Sequence, residues 1–559
     1  MAFLVSPGVQ VKEVDLTNVV PAVSSSTGGI AGSFQWGPVD EVTTIGSEKQ
    51  LVELFGQPDD NTYQSVLSAA QFLSYGNTLR VVRGVELTAR NATSGAAGLL
   101  VKNDTHALSV SGQDVVARYP GTTGNNIGVS ICPADATAWA AWDWASHFSA
   151  VPGTSATAEA IGNDGANDEL HVVVYDATGG ITGNQNEILE TYEFLSQGSD
   201  AKDSSGKSNY AKNVINNDSA WIRIIDGLTG LSNFGSALAS QTFEVTVEGS
   251  TDGDYLALLD DGIDDNALTA GVTTAAYDYL ADAETIDVSL LMMGKVNWST
   301  TDSTTVCNKL IAMAIARKDC VAFVSPYFTA DTAAEVKTWA GTLTHSSYAF
   351  ADSSALYVYD KYNDVYRWLG ASGSMAGLSA GTDLSADAWF SPAGFTRGNV
   401  RNVTKLAYNP NQADRDDLYK VGINPIVTFP GQGTVLYGDK TLQTKPSAFD
   451  RINVRRLFIV LEKAISTASK ASLFEFNDEF TRAQFRNMVE PFLRDVKGRR
   501  GITDFRVVCD STNNTGNIID TNKFVADIYV KPARSINFIT LNFIATRTGV
   551  EFSEIAGGN

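Results

Sequence analysis

Residues 451–500 read RINVRRLFIVLEKAISTASKASLFEFNDEFTRAQFRNMVEPFLRDVKGRR, and this stretch decides how the C-terminal part of the chain folds. Leu457, Phe458, Leu461, Ala464, Ile465 and Ala468 recur at helical spacing, which gives one apolar stripe to bury against a sheet. Asn477 or Asp478 offers an N-cap to a second helix, whose stripe is Phe485, Met488, Val489, Phe492, Leu493 and Val496 and which ends at Gly498. Pro491 predicts a kink in that helix. Further on, residues 504–509, 524–530 and 536–545 are rich in β-branched and aromatic side chains, separated by the loop STNNTGN and by Lys531-Pro532. Two helices and a short sheet predict a compact α+β unit.

Outward from there, 559 residues exceed a single core and predict three or four domains. An apolar content of 43% with 19% charged residues is that of an ordinary globular protein. The N-terminus MAFLVSPGVQVKEV has no basic segment followed by an apolar one, so no secretory signal is expected, and no apolar run near the C-terminal unit approaches a membrane span. Cys132, Cys307, Cys320 and Cys509 have no CxxC spacing and no neighbouring histidine, which predicts reduced, packed thiols. The formal net charge is −22 but unevenly spread: residues 451–559 hold 16 Lys and Arg against 12 Asp and Glu, residues 91–280 hold 6 against 25. An acidic middle reads as a solvated outer face, and a basic C-terminal unit as a surface that meets an acidic partner. The overall negative charge argues against a phosphate backbone as that partner.

In chain order, Val9, Val11 and Val14 mostly alternate after Pro7-Gly8, an edge strand too short to stand alone. A helix over 65–75 and a buried strand at Leu79–Arg83 follow. From 91 to 284 the composition shifts to Ala, Gly, Ser, Thr, Asn and Asp with short alternating runs, which predicts a β-rich domain inserted into another. A strand at 286–292, a helix at 304–316, a strand at 320–324 and a helix at 332–343 then predict a βαβ rhythm with parallel strands. At the end, TRTGVEFSEIAGGN places Val550 and Phe552 in alternation past the last core strand, so both termini read as strands made to be donated.

Stretches that imitate catalytic or metal sites fail on chemistry. Ser374 in Gly373-Ser374-Met375-Ala376 would need a histidine to take its proton, and His345 alone lies in that region, in THSS. Gly370 to Ser374 lacks the final glycine of a nucleophile elbow. In Gly433 to Thr441, Asp439 stands where a phosphate-binding loop needs its lysine, so a turn between strands is the reading. DGDYLALLDDGIDD (252–265) lacks calcium-loop spacing and reads as a solvated acidic loop. No catalytic residue, cofactor or metal is assigned, and the chain is read as a non-enzyme.

The ordered pieces INVRRLFIVLEKAI, FEFND, FLRDVKGRRGI, a strand ending VVCD, an Asn-rich loop and VKPARSINFITLNF resemble the C-terminal domain of tail sheath proteins of contractile-tailed phages. The N-terminal PGV-x-V-x-E-V (Pro7, Gly8, Val9, Val11, Glu13, Val14), the Gly37-Pro38 turn and Leu54-Phe55-Gly56 are similar to the same family. So are SPAG (391–394), LY-x-x-GIN-x-I (418–426) and Gly431, Gly433, Gly438 and Thr441. The resemblance implies a multidomain α/β and α+β protein: an N-terminal arm (1–20), a first part of the core (21–90), an inserted acidic β-rich outer domain (91–284), a subtilisin-like α/β domain (285–446), a tube-facing α+β domain (447–545) and a C-terminal arm (546–559). It implies a structural subunit that polymerises with itself as stacked hexameric rings around the tail tube protein. Contraction would drive the tube through the host envelope, and baseplate and tail terminator proteins would be further partners. No nucleic acid and no membrane insertion are implied. The site would be the virion tail, assembled in the host cytoplasm. Arg482, Arg486, Arg494, Lys497, Arg499 and Arg500 would face the tube, the plain alternative being a solvated face with Arg486–Glu490–Arg494 ion pairs. Val9, Val11, Val14, Val550 and Phe552 would link subunits. A genome-free contractile injection system and a subtilisin-like hydrolase are the alternatives.

Overall fold

The computed structural model describes residues 20, 23–95, 98–228, 231–243, 255–537 and 540. Its centre is a seven-stranded sheet in the order Ile423–Asn424, Ala349–Asp352, Val321–Val324, Leu290–Met292, Gly28–Gly32, Leu79–Arg83, Val42–Ile45. All neighbours are parallel except the last pair. Strands such as Leu290–Met292 and Val321–Val324 are apolar without alternation because both faces are covered. The helices Tyr63–Leu73 and Ser372–Ser385 pack on one face through Val66, Phe72, Met375 and Leu378. The helices Thr300–Arg317 and Ala333–Ala340 pack on the other through Val306, Leu310, Val336 and Trp339. The expected βαβ rhythm is therefore present, with its first strand shortened to three residues.

The helix Ala270–Asp278 lies inside the stretch read from sequence as the insert, yet Ala270, Ala276 and Tyr277 pack with the second helical layer, and the Tyr277 hydroxyl donates to Met292 O at 2.6 Å. Its first four residues are small or apolar and gave no sign of belonging to a neighbouring core. The insert proper builds a four-stranded antiparallel sheet, Glu187–Ser196, Glu169–Asp176, Ile127–Pro133, Tyr255–Leu258, and a two-stranded one, Val115–Ala117 with Ile222–Ile224. Its core takes Trp36 from the 35–38 turn of the central unit, which packs against Tyr119 at 5.4 Å and Trp221 at 5.5 Å. Arg83, at the end of its strand, reaches the same joint and donates to the carbonyls of Gln35, Gly37 and Pro120. Burial pulls its guanidinium down to about 10, still charged at neutral pH.

The C-terminal unit consists of the helices Ile452–Ser469 and Glu479–Gly498 over an antiparallel hairpin, Ile502–Val508 with Asp527–Pro532. Leu457, Leu461, Ala464, Ile465 and Ala468 are buried as the periodicity demands, while Phe458 is half-buried with its ring 4.9 Å from Phe449. Asp478 caps the second helix by accepting from Thr481 N at 2.8 Å. Pro491 lies within that helix, which continues past it to Gly498. Of the third expected strand, 536–545, only residues 536, 537 and 540 are described, and none of them is in a strand. The arm residues Val9, Val11, Val14, Val550 and Phe552 lie outside the described residues. All four cysteines are buried free thiols, and burial pushes Cys307 and Cys320 up to about 12. Among the described residues no helix is long and apolar enough to cross a membrane.

Candidate assembly surface

The first turn of Ile452–Ser469 carries two arginines that are almost wholly buried. Arg456 pairs with Asp383 and donates to Ser379 O, and Arg455 donates to Ser347 Oγ at 2.8 Å while its guanidinium lies over Tyr348 and Phe449. Both partners belong to the central unit, so this turn pins the C-terminal unit in place. At the far end of the second helix Arg499 contacts Asp387, pairs with Asp495 at 3.7 Å and stacks over Trp389. Trp389 in turn donates from Nε1 to Arg499 O at 3.1 Å and enters the C-terminal core. Arg499 is therefore part of the joint between units, although the sequence grouped it with the tube-facing residues.

The other candidates divide by exposure. Arg494, Lys497 and Arg500 are exposed, and of these Lys497 has a weak ion pair with Asp504 at 3.5 Å. Arg482 is half-buried and donates to Asn477 Oδ1 at 2.9 Å, holding the turn before its own helix. Arg486 is half-buried and close enough to Cys509 and Asp510 to act on both electrostatically. Glu490 forms no ion pair with Arg486 or Arg494, so the chain of surface pairs expected on this face is not formed. What remains is an exposed basic edge, Arg494, Lys497 and Arg500, of which Lys497 is weakly paired, on an otherwise acidic protein.

The same unit carries a feature that sequence reading missed. A cleft of about 1100 Å³ runs between the first helix, the turn that follows it and the hairpin, lined by Leu461, Ile465, Phe474, Phe476, Phe524 and Ile528 among others. Phe474 is fully exposed and Phe476 is 84% exposed. Phe474 holds φ of 69°, so the turn displays its ring by an uncommon backbone conformation. Because FEFND interrupts both helical stripes, its aromatic residues had no periodicity to mark them as a surface. The hairpin beside the cleft has no further strand on either edge among the described residues.

The catalytic imitations resolve into packing. Ser374 is fully buried and its hydroxyl has no hydrogen-bond partner, so no histidine stands against it. The glycines around it are there for contact: a Cβ on Gly373 would lie 2.4 Å from Ser68 O, and one on Gly377 would lie 2.6 Å from the Tyr75 ring. In the acidic loop, Asp264 accepts from Thr122 N at 3.0 Å and staples two loops together. Among the described residues no group of three or more His, Cys, Asp or Glu could hold a metal ion.

Comparison with known proteins gives three family matches in chain order. Residues 25–83 match the N-terminal region of tail sheath protein Gp18 domain III, 254–442 the phage tail sheath protein central domain, and 444–546 the phage tail sheath C-terminal domain. The tail sheath protein of Enterobacteria phage T4 is 33% identical over 656 aligned positions, covering 99% of each chain. Among solved structures, the sheath tail protein of Listeria innocua shares the fold with a TM-score of 0.55 at 14% identity, over 92% of this chain and 93% of that one. The sheath of an extracellular contractile injection system in its contracted state does so with a TM-score of 0.51 at 13% identity, over 98% and 99%. The matched regions hold the central sheet, the joint and the C-terminal unit in their observed order, and the chain belongs to the tail sheath protein family of contractile-tailed phages, as a structural subunit of a contractile sheath.

Proposed function

We propose that subunits of this chain stack as hexameric rings around a tail tube, linked by their terminal arms, and that rearrangement of the rings drives the tube through the host envelope. The observation that carries this reading is the C-terminal unit's exposed apolar cleft beside a hairpin whose edges carry no further strand among the described residues. Such an edge accepts an extended segment through main-chain hydrogen bonds, and an adjoining apolar cleft takes its alternate side chains. Val9 and Val11 at one end, followed by Val14, and Val550 and Phe552 at the other, mostly have the alternation this needs. A strand the length of the six-residue Asp527–Pro532 forms about three to six such bonds, on the order of a few kcal/mol per arm. Repeated at every subunit, these links make a continuous mesh that holds while rigid domains turn.

The basic edge of the second C-terminal helix, Arg482, Arg486, Arg494, Lys497 and Arg500, faces the tube in this scheme, and Arg499 holds the unit at the angle that presents it. The central unit acts as a rigid body of subtilisin-like arrangement, supported by its parallel sheet with helices on both faces. Assembly takes place in the host cytoplasm, where buried free thiols persist, with baseplate and tail terminator proteins at the two ends. The phage setting is favoured over a genome-free injection system because the relative at 33% identity is a phage protein.

Deletion of residues 1–15, or truncation after Ala545, tests the arms. Each variant is expected to give a folded subunit, with a near-normal circular dichroism spectrum, that forms no cylinders in negative-stain micrographs. Normal cylinders from either one would show that domain faces hold the lattice without that arm.

A further inference from the structure

The residue that spoils the resemblance to a phosphate-binding loop has a use of its own. Asp439 follows the strand Gly433–Leu436 at the edge of the central unit and is 3% exposed. Its Oδ1 accepts from Arg451 Nη1 at 2.9 Å, Asn537 Nδ2 at 3.0 Å and Tyr419 Oη at 3.2 Å. Its Oδ2 accepts from Ser535 Oγ at 2.7 Å and Ser391 Oγ at 3.1 Å. Five donors fill a group that offers about four lone-pair sites. Arg451 alone would neutralise the carboxylate, and the next residue is already tied there, since Ile452 N donates to Asp439 O at 2.9 Å. The two donors from residues 535 and 537 exceed what neutralisation requires.

Those two residues belong to the segment that follows the C-terminal hairpin. After Asp527–Pro532 the chain makes one more backbone bond to its own unit, Ala533 N to Gly501 O, and then crosses to the central unit. Ser535 and Asn537 are two positions apart, which puts them on one side of an extended chain, and Ile536 between them is 83% exposed on the other. Asn537 also donates to Tyr419 Oη at 3.0 Å, and Tyr419 in turn packs beside Arg451.

We infer that Asp439 is the anchor of the segment leading into the C-terminal arm, fixing the point where that segment leaves the folded body on the central unit instead of on the C-terminal hairpin. Where the proposed role of the arm holds, a pull transmitted by a neighbouring subunit enters the central unit directly at the end of the Gly433–Leu436 strand. It bypasses the C-terminal hairpin. Asp439 is thus a positioning residue for the tether, and the Asp439–Arg451 pair is its fixed half.

The test leaves that fixed half intact. In the full-length unassembled subunit, Ser535→Ala with Asn537→Ala removes only the tail's side of the clamp. Tryptic cleavage after Arg534, followed by mass spectrometry of the released fragment, is expected to accelerate about tenfold or more, because hydrogen bonds to a charged group are lost from the bound segment. The melting temperature stays unchanged, and Ser535→Thr with Asn537 retained, which keeps both donors, cleaves at the wild-type rate. An unchanged cleavage rate in the double variant overturns the anchor, as does an accelerated rate accompanied by a lowered melting temperature. The arm reading fails separately: normal cylinders from the chain truncated after Ala545 would remove the mechanical role while accelerated cleavage after Arg534 still upheld the anchor.

Discussion

Asp352 shows what a buried charge does in a protein whose work is mechanical. It ends one strand of the central sheet, wholly buried, and its Oδ2 accepts from Ser325 Oγ at 2.5 Å. Ser325 Oγ in turn accepts from Ser372 N at 2.8 Å, so the pair stitches two strand ends to the start of the helix Ser372–Ser385. Burial pushes its carboxyl up to about 7, against the hydrogen bond from Ser325. The folded-state value lies above the unfolded one, so this group's stabilising contribution is fully present below pH 4 and is lost as pH rises through 7. Asp352→Asn keeps an acceptor for Ser325 and cannot ionise. It is expected to match the wild type near pH 4 and to exceed it at pH 8.5 by on the order of a few kcal/mol in urea unfolding. Parallel pH profiles for the two proteins would show that the carboxyl is already ionised at no cost. Nothing in the stretch ADSSA (351–355) marked Asp352, because its environment is made by residues 27 and 20 positions away.

At the scale of the element, what was legible is what repeats locally. The stripes of Ile452–Ser469 and Glu479–Gly498, the strand Leu79–Arg83 and the βαβ rhythm after residue 286 all follow from periodicity and caps, which depend on neighbours within a turn or two. The joints were not legible. Arg456 meets Asp383 and Arg499 meets Asp387 across more than seventy residues of chain, and helical spacing treats both arginines as ordinary polar positions. The same distinction refines the proposed tube contact. Arg482 holds Asn477 and should be left alone, whereas Arg494 and Lys497 are exposed and at most weakly paired. Reversing both to Glu is expected to change stability by about 1 kcal/mol or less. It should also reduce co-sedimentation with tail tubes at low salt, where a like-charge clash is strongest. Tube binding that is undiminished at low salt would place this helix edge elsewhere in the assembly.

The whole molecule distributes charge by unit, with most of its acid excess between residues 91 and 280, in a domain with its own antiparallel sheet and its own core. We take this domain to project outward and to be dispensable for the lattice, but its attachment sets how it can be removed. Cutting to residue 284 would delete Ala270–Asp278, and with it Tyr277 and Ala276 from the layer covering the central sheet, so loss of assembly would report an unfolded core. The excision that respects the packing replaces 91–265 with a Gly/Ser linker. It also changes Trp36, whose indole is buried only because the domain surrounds it, to a polar residue. Arg83 loses the carbonyl of Pro120 in this design but keeps those of Gln35 and Gly37. Together these changes remove one buried aromatic, the bond from Arg83 to Pro120 O, the bonds that Val39 forms with Lys102 O and Asn103 Nδ2, the Lys102–Asp40 ion pair and the contacts of Asp265 with Glu86 and Thr88, all of them at the joint, and leave both helical layers in place. The shortened protein is therefore expected to melt as a folded unit and to form cylinders of reduced outer diameter with an unchanged inner bore. A folded, monodisperse product that never polymerises would make the acidic domain part of the lattice, with subunit contacts running through it as well as through the arms.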